Sequence, residues 1–388
     1  MYIRNTVKKP KTKLTKKNSI PKFKHSYRAI NTQLLLFVGV LLVLIGYASW
    51  YFLAPKPLSP GINEIKVIEQ QKPEMWMLTS ARATYDRELP VDHLRMWTNP
   101  EEWSSSRKMM DAYFFTWKQN ATKVFELQFL KSKVIPLLAE DDIKIGLDTG
   151  FATWMSCKPI GADAVNFDLD VIKKIENAGG KVSYISLQSA MGKVLPERIA
   201  DNCPDYSYTD RINDMVTYVT AIRKQYPDIK VGLVDATAAL VIRSRRSGKD
   251  TYQELFTQLS NALKNKGHKL DFILLDNGAE MAKGEKYPGV MEYAQILELE
   301  KFVKTNLKTK FGMIVTSSSG GMNDADLYLR NTLEYVRAYE RLGGNPDFYM
   351  SESWHRYPEK VLPESGSNQV TLTNVFLRIA RLANRVNE

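Results

Sequence analysis

Eight short apolar segments, each followed by a stretch with helical periodicity, recur between Met75 and Glu352. Read as strands they are Met75–Thr79, Met110–Trp117, Ile143–Asp148, Lys181–Gln188, Ile229–Asp235, Leu270–Asp276, Phe311–Ser317 and Asp347–Glu352. A strand that is always followed by a helix re-enters its sheet in parallel. Eight such units predict an α/β fold, a (β/α)8 TIM barrel. A doubly wound open sheet has the same alternation and is the competing architecture. Glycine and proline mark the helix-to-strand joints at Ala178-Gly179-Gly180, Tyr226-Pro227, Lys266-Gly267 and Leu342-Gly343-Gly344-Asn345-Pro346. Between joints, Asp168–Ala178, Tyr252–Lys266, Met291–Leu307 and Leu327–Leu342 are amphipathic, and Leu372–Asn384 reads as a final helix. No sequence repeat of 20–50 residues stands out.

The net charge of +11 suggests a nucleic-acid binder until its distribution is considered. Residues 1–33 hold ten Lys and Arg and no Asp or Glu, so eleven minus ten leaves about +1 for the rest. The globular part is nearly neutral, which argues against a nucleic-acid partner.

Leu34–Leu53 follows the basic tail as twenty residues without a charge. At about 1.5 Å per residue this spans a hydrocarbon core roughly 30 Å thick. Tyr47, Trp50 and Tyr51 gather at its far end, where amphipathic rings favour the interface. The expectation is a single-pass signal anchor through the lipid bilayer. Residues 1–33 then stay in the cytoplasm and the C-terminal domain lies across the membrane. A cleaved leader is the alternative, but the apolar run exceeds the usual core of about 7–15 residues and no A-x-A site follows. The tail either sets topology alone or also meets anionic lipid. Ala54–Gly61, with three prolines, opens a stiff linker that runs to residue 73. An exported domain permits disulfides, and Cys157 and Cys203 fall in the loops after the third and fourth strands. A bridge between them and two free thiols are both open. Two cysteines and scattered histidines make no zinc-type cluster, and no motif calls for a cofactor.

In a barrel, chemistry belongs at the strand C-termini. These read Thr79-Ser80, Trp117, Asp148, Gln188-Ser189, Asp235, Asp276-Asn277, Thr316-Ser317-Ser318 and Ser351-Glu352-Ser353-Trp354, with Trp154 and Tyr287 nearby. Carboxylates accept sugar hydroxyl groups and supply an acid, base or nucleophile, and flat rings stack on pyranose faces. Hydrolysis of a glycosidic bond takes two carboxyls, roughly 5–5.5 Å apart for retention and 6.5–9.5 Å for inversion.

Several segments resemble, in order, bacterial exported barrels described as glycoside-hydrolase-like. They are Asn99-Pro100-Glu101-Glu102-Trp103, Cys157 with Val165-Asn166-Phe167, Ala178-Gly179-Gly180-Lys181-Val182-Ser183-Tyr184-Ile185 and Gly232-Leu233-Val234-Asp235-Ala236. Ser353-Trp354, Pro358 and Leu362-Pro363-Glu364 complete the set. The resemblance covers residues 74–388 and implies an extracytoplasmic barrel, held in a bacterial inner membrane, that meets a glycan or polysaccharide. It departs where it matters. Such barrels offer Asp-Glu-Pro after the fourth strand and Glu-Pro after the fifth; here stand Gln188-Ser189-Ala190 and Asp235-Ala236. The glutamates that retaining glycosidases carry after strands four and seven are replaced by Gln188-Ser189 and Thr316-Ser317-Ser318.

Two classes follow: a glycoside hydrolase that uses another carboxylate pair, or a barrel that binds glycan, or scaffolds envelope-complex proteins, without cutting. For the first, Asp235, Asp276 and Glu352 are the candidate catalytic groups, with Asp235 and Asp276 expected to converge from adjacent strands. Asp148, Gln188, Glu280, Trp117, Trp154 and Trp354 are the candidate sugar contacts. The structural alternative is a loop or helix cap for Asp235 and Asp276, an ion pair with an arginine such as Arg82 for Glu352, and a plain turn for Asp148 in Asp148-Thr149-Gly150. Ser317-Ser318-Ser319-Gly320-Gly321 reads either as an anion cradle at a helix start or as a flexible turn, and it lacks the lysine of a P-loop.

Overall fold

The structure is a computed structural model that describes residues 72–79, 90, 92–116, 123–149, 162–188, 190–191, 207–248, 250–366 and 368–384. The chain divides into two units, Met1–Ile68 and Glu69–Glu388, and every described residue belongs to the second. The basic tail, the apolar stretch Leu34–Leu53, Arg82, Trp117, Trp154, Cys157 and Cys203 lie outside the described residues. Among the described residues no helix is long and apolar enough to cross a membrane.

Eight parallel strands close into a barrel in chain order, β1 Glu74–Leu78, β2 Ala112–Thr116, β3 Lys144–Thr149, β4 Val182–Gln188, β5 Lys230–Asp235, β6 Phe272–Leu275, β7 Lys310–Val315 and β8 Phe348–Glu352. The closing pair, β8 with β1, is matched residue for residue from Glu74↔Phe348 to Leu78↔Glu352. This is the expected barrel; the open sheet is excluded. The helices Ala162–Asn177, Tyr252–Lys264, Tyr293–Thr305, Ala325–Arg341 and Leu372–Ala383 match the amphipathic stretches. Thr237–Ser247, an extra helix between β5 and Tyr252–Lys264, was not anticipated because its apolar residues cluster in its first half.

The barrel interior is filled by rings. Trp76 stacks on Phe348 at 3.9 Å and packs against Phe114, Tyr184 and Phe272 at 5.0, 4.9 and 5.2 Å. Such bulk fits only because small residues face it. Gly146 pairs with Phe114, Gly232 with Phe272 and Gly312 with Phe348 across neighbouring strands. A Cβ at these glycines would stand 2.5, 2.2 and 1.9 Å from the partner ring. Each aromatic thus occupies the space its neighbour leaves, which is how a barrel core reaches native density.

A second device recurs at the other end. Asp111, Asp271 and Asp347 each precede an even-numbered strand, and their carboxylates accept N–H groups from Met75, Val231 and Phe311 at 2.7, 2.8 and 2.8 Å. Those three donors are each the second residue of the preceding strand. β2 and β6 begin later than the apolar runs suggest, and just before them Asp111 and Asp271 add these side-chain bonds to backbone ones, their own N–H groups donating to the Met75 and Val231 carbonyls at 2.8 and 2.9 Å. The β5–β6 and β7–β8 pairs share both devices, so a repeat does exist. It is confined to a glycine and an Asp-Phe pair and is hidden by unequal helix lengths.

The two ends of the resemblance meet in one clasp. Glu364 accepts N–H groups from Ser105 and Ser106 at 2.9 and 2.6 Å, and its own N–H donates to the Glu102 carbonyl at 2.9 Å. Asp92 accepts from Val361 and Leu362, each at 2.9 Å. Glu364 caps the helix Ser104–Lys108, so these motifs seal the β8–β1–β2 seam.

Two buried groups make stability depend on pH in opposite senses. Burial lowers the pKa of His93 from 6.5 to about 4. The unfolded chain therefore takes up that proton first, and stability falls as pH drops from about 6.5 to 4. Burial raises Asp168 to about 6 although the Tyr218 hydroxyl donates to it at 2.5 Å. The folded chain then keeps that proton longer, and stability falls as pH rises from about 4 to 6. Each shift corresponds to about 3 kcal/mol, and the two act in opposite directions. In urea titrations between pH 4 and 7, Asp168→Asn is expected to lose stability more steeply on acidification than the parent, and His93→Gln less steeply. Parallel profiles for all three proteins would refute this assignment.

Candidate active site at the barrel mouth

Strand alternation decides which strand-end side chains enter the mouth. Trp76 and Leu78, Phe114, Tyr184, Val234, Leu274, Ile314 and Met350 belong to the interior cluster. Counting on by two brings Thr116, Ser186 and Gln188, Asp276 and Glu352 to the inner face above the rings. Asp148 joins them, two residues after Gly146, whose missing Cβ faces the Phe114 ring. Asp148 sits level with Thr116 and Ser186 and accepts the Ser186 hydroxyl at 2.7 Å. Asp276 continues the ladder, its N–H bonding the Asp235 carbonyl at 3.0 Å. Glu352 pairs with Leu78 at the closing seam, and its carbonyl accepts the Tyr328 hydroxyl at 2.5 Å. Asp148 and Glu352 are buried, whereas Asp276 and Gln188 are half-buried.

Asp235 does not join this group. It follows the inward Val234, on the face of Val231 and Leu233, which pack in the outer core between barrel and helices. It is wholly buried and accepts the Met191 N–H at 2.7 Å. Adjacent strand ends therefore do not bring Asp235 and Asp276 together, because the two end on opposite phases of the pleat. Asp276 and Glu352 flank β7, two strand spacings of about 4.8 Å apart, and Asp148 faces them from three strands away. Among the described residues no three His, Cys, Asp or Glu side chains lie close enough to hold a metal ion.

The serine-glycine loop after β7 is an anion cradle, and its anion is internal. Glu280 receives the N–H groups of Ser318 and Ser319 at 3.0 Å each and the Ser319 hydroxyl at 2.6 Å, and the Ser317 hydroxyl and, at 3.4 Å, the Asn331 amide also donate to it. Burial alone would raise the Glu280 pKa; these donors outweigh it and hold the carboxyl below the usual glutamate range. Neither a bound phosphate nor a flexible turn describes the loop. Glu280, expected as a sugar contact, ties the β6 loop to the β7 loop beneath the mouth. The paired glycines have their own reasons: a Cβ on Gly320 would meet the Tyr328 backbone at 2.4 Å, and one on Gly321 would meet His355 at 2.8 Å.

Trp354 is half-buried and packs against the interior cluster, two residues past Glu352. His355 follows it, buried against Gly321. Burial lowers the His355 pKa, the Lys286 charge pushes the same way, and Glu280 opposes them. A neutral imidazole is a hydrogen-bonding group, here placed three residues past Glu352. Sequence reasoning passed over His355 as one isolated histidine; its place three residues past the end of β8 was the available signal. Thr116 and Ser186 were missed because hydroxyls at strand ends are common.

No sequence-family profile matches the chain, and no curated protein does. Among solved structures, it is similar to a fungal β-1,4-galactanase at 8% identity, with 79% of this chain and 99% of that chain covered and a TM-score of 0.48. It is also similar to an endo-β-N-acetylglucosaminidase from Cordyceps militaris, at 11% identity, 82% and 92% coverage and a TM-score of 0.44. A β-glucosidase from Thermotoga maritima in complex with noeuromycin is similar at 15% identity, 76% and 88% coverage and a TM-score of 0.44.

Proposed function

We propose that this chain is a membrane-anchored, extracytoplasmic barrel of glycoside-hydrolase type that acts on a polysaccharide or other glycan. The observation that carries the reading is the set of carboxylates Asp148, Asp276 and Glu352 on the inward phase of their strands, above the buried interior cluster against which Trp354 packs. Asp276 and Glu352 are the proposed acid–base or nucleophile pair, and Asp148, Gln188 and Trp354 the sugar contacts. The anchor rests on the apolar run Leu34–Leu53 behind its ten-charge basic tail. One observation favours a binding barrel instead. The inward position at the end of β4 holds Gln188, which cannot exchange a proton as a carboxyl does.

Purified full-length protein incubated with a panel of bacterial envelope polysaccharides should release new reducing ends. Binding without release would move the assignment to a glycan-binding subunit, and neither would refute both readings. Orientation has a separate test. Protease added to spheroplasts should digest residues 54–388, and full protection of that domain would overturn the proposed topology.

A further inference from the structure

The loop after β6 carries a feature that packing does not explain. Tyr287 has φ of 57°, a left-handed backbone that bulky residues rarely adopt; Met291 shares it at 53° but is wholly buried in the core. The same loop uses glycine at two other positive-φ positions, Gly284 and Gly289. Tyr287 is also 51% exposed, so burial does not repay the strain. The loop is nonetheless held firmly. The Arg245 guanidinium donates to the Gly289 carbonyl, Glu292 accepts the Gly289 N–H, and the Glu280 carbonyl takes the N–H groups of Glu285 and Lys286 at 2.9 and 3.1 Å. A strained aromatic presented to solvent on a pinned loop, at the face where the strands end, is arranged to meet a ligand.

Charge identifies the kind of ligand. The Lys286 ammonium lies 5.7 Å from the centre of the Tyr287 ring, and its charge acts on His355 in the loop after β8. The carboxylates of the surrounding loops are mostly engaged: Glu280 in the serine cradle, Glu292 on Gly289, Asp324 on the Leu327 N–H at 2.7 Å and Glu359 on Arg356 at 2.7 Å. Glu285 is exposed, and its charge acts on Tyr293. We propose that Lys286 and Tyr287 form a rim subsite for an anionic sugar, the ring stacking on Tyr287 while its acidic substituent pairs with Lys286. The proposal rests on the glycan reading of the mouth. It also orients the chain: the substituent is held outward at the rim, away from the inward carboxylates, which would repel it.

The test uses full-length protein in detergent and two probes, a galacturonate hexasaccharide and its methyl ester, which differ in charge but not in sugar. The acid form should bind about tenfold tighter at low salt, and the preference should shrink at high salt. Lys286→Gln should abolish the preference. Tyr287→Ala should weaken both forms about tenfold, with Tyr287→Phe close to the parent. Tyr287→Gly, which removes the strain, should raise the melting temperature slightly while losing binding. Equal binding of acid and ester, or a preference that survives Lys286→Gln, would overturn the proposal. If neutral envelope polysaccharides bind and the acid probe has no advantage, this subsite fails alone. If no glycan binds, the reading of the mouth fails with it.

Discussion

Gly312→Val should destabilise the barrel by about 3 kcal/mol or more, the upper end of what overpacking costs. The Cβ it adds would stand 1.9 Å from the Phe348 ring, so the ring must move. Phe348 has nowhere to go, since it stacks on Trp76 at 3.9 Å and meets Phe272 edge-on at 5.7 Å. Trp76 is in turn held by Phe114 and Tyr184. Urea unfolding should show a lower midpoint with little change in slope. Adding Phe348→Leu should restore part of the loss, because the two residues share one volume. A Gly312→Val protein within about 0.5 kcal/mol of the parent would show that the interior rings are not close-packed.

The second large effect concerns turnover. With any glycan that the full-length protein cleaves, Glu352→Gln and Asp276→Asn should each lower kcat by about 10²–10⁴-fold with glycan binding retained. The amide keeps shape and hydrogen bonding but neither exchanges a proton nor attacks carbon. Asp235→Asn should leave kcat close to the parent and instead lower stability. It replaces the carboxyl that accepts the Met191 N–H inside the outer core by an amide whose NH2 group needs a buried acceptor. The contrast between Asp235 and Asp276 checks the side-chain phase directly, and loss of turnover in Asp235→Asn with full stability would reverse it. Gln188→Glu probes the other reading, since hydrolysis gained there would mark a barrel whose β4 acid has been lost.

Strand order and barrel closure were legible because they rest on chain-wide periodicity. Each β-segment is apolar on both faces, and glycine or proline marks many of the joints. The site was legible only as a set of strand ends. Asp235 and Asp276 look equivalent in sequence, yet Val234 lies in the interior cluster and Leu275 in the outer one. One residue of phase decides which carboxylate enters the mouth, and strand boundaries read from sequence are uncertain by more than one residue. Glu280 and the serine loop were each noticed, but only the fold shows that one fills the other. The pairing of Gly146, Gly232 and Gly312 with rings on neighbouring strands depends on register, which no local pattern states.

The clasp between Glu364 and Ser105-Ser106 joins residues 259 and 258 positions apart. Strand β1 leaves the ribosome early, but its partner β8 and the clasp arrive last. At about 5–20 residues per second, the interval between Leu78 and Phe348 is roughly 15–55 seconds. Throughout that time the side of β1 that will meet β8 is an unpaired edge open to pairing with other chains. Nascent barrels are therefore most vulnerable to one another just before completion. A chain cut between Glu352 and Glu364 would keep every strand and still lose the latch, becoming a source of edge-to-edge aggregates.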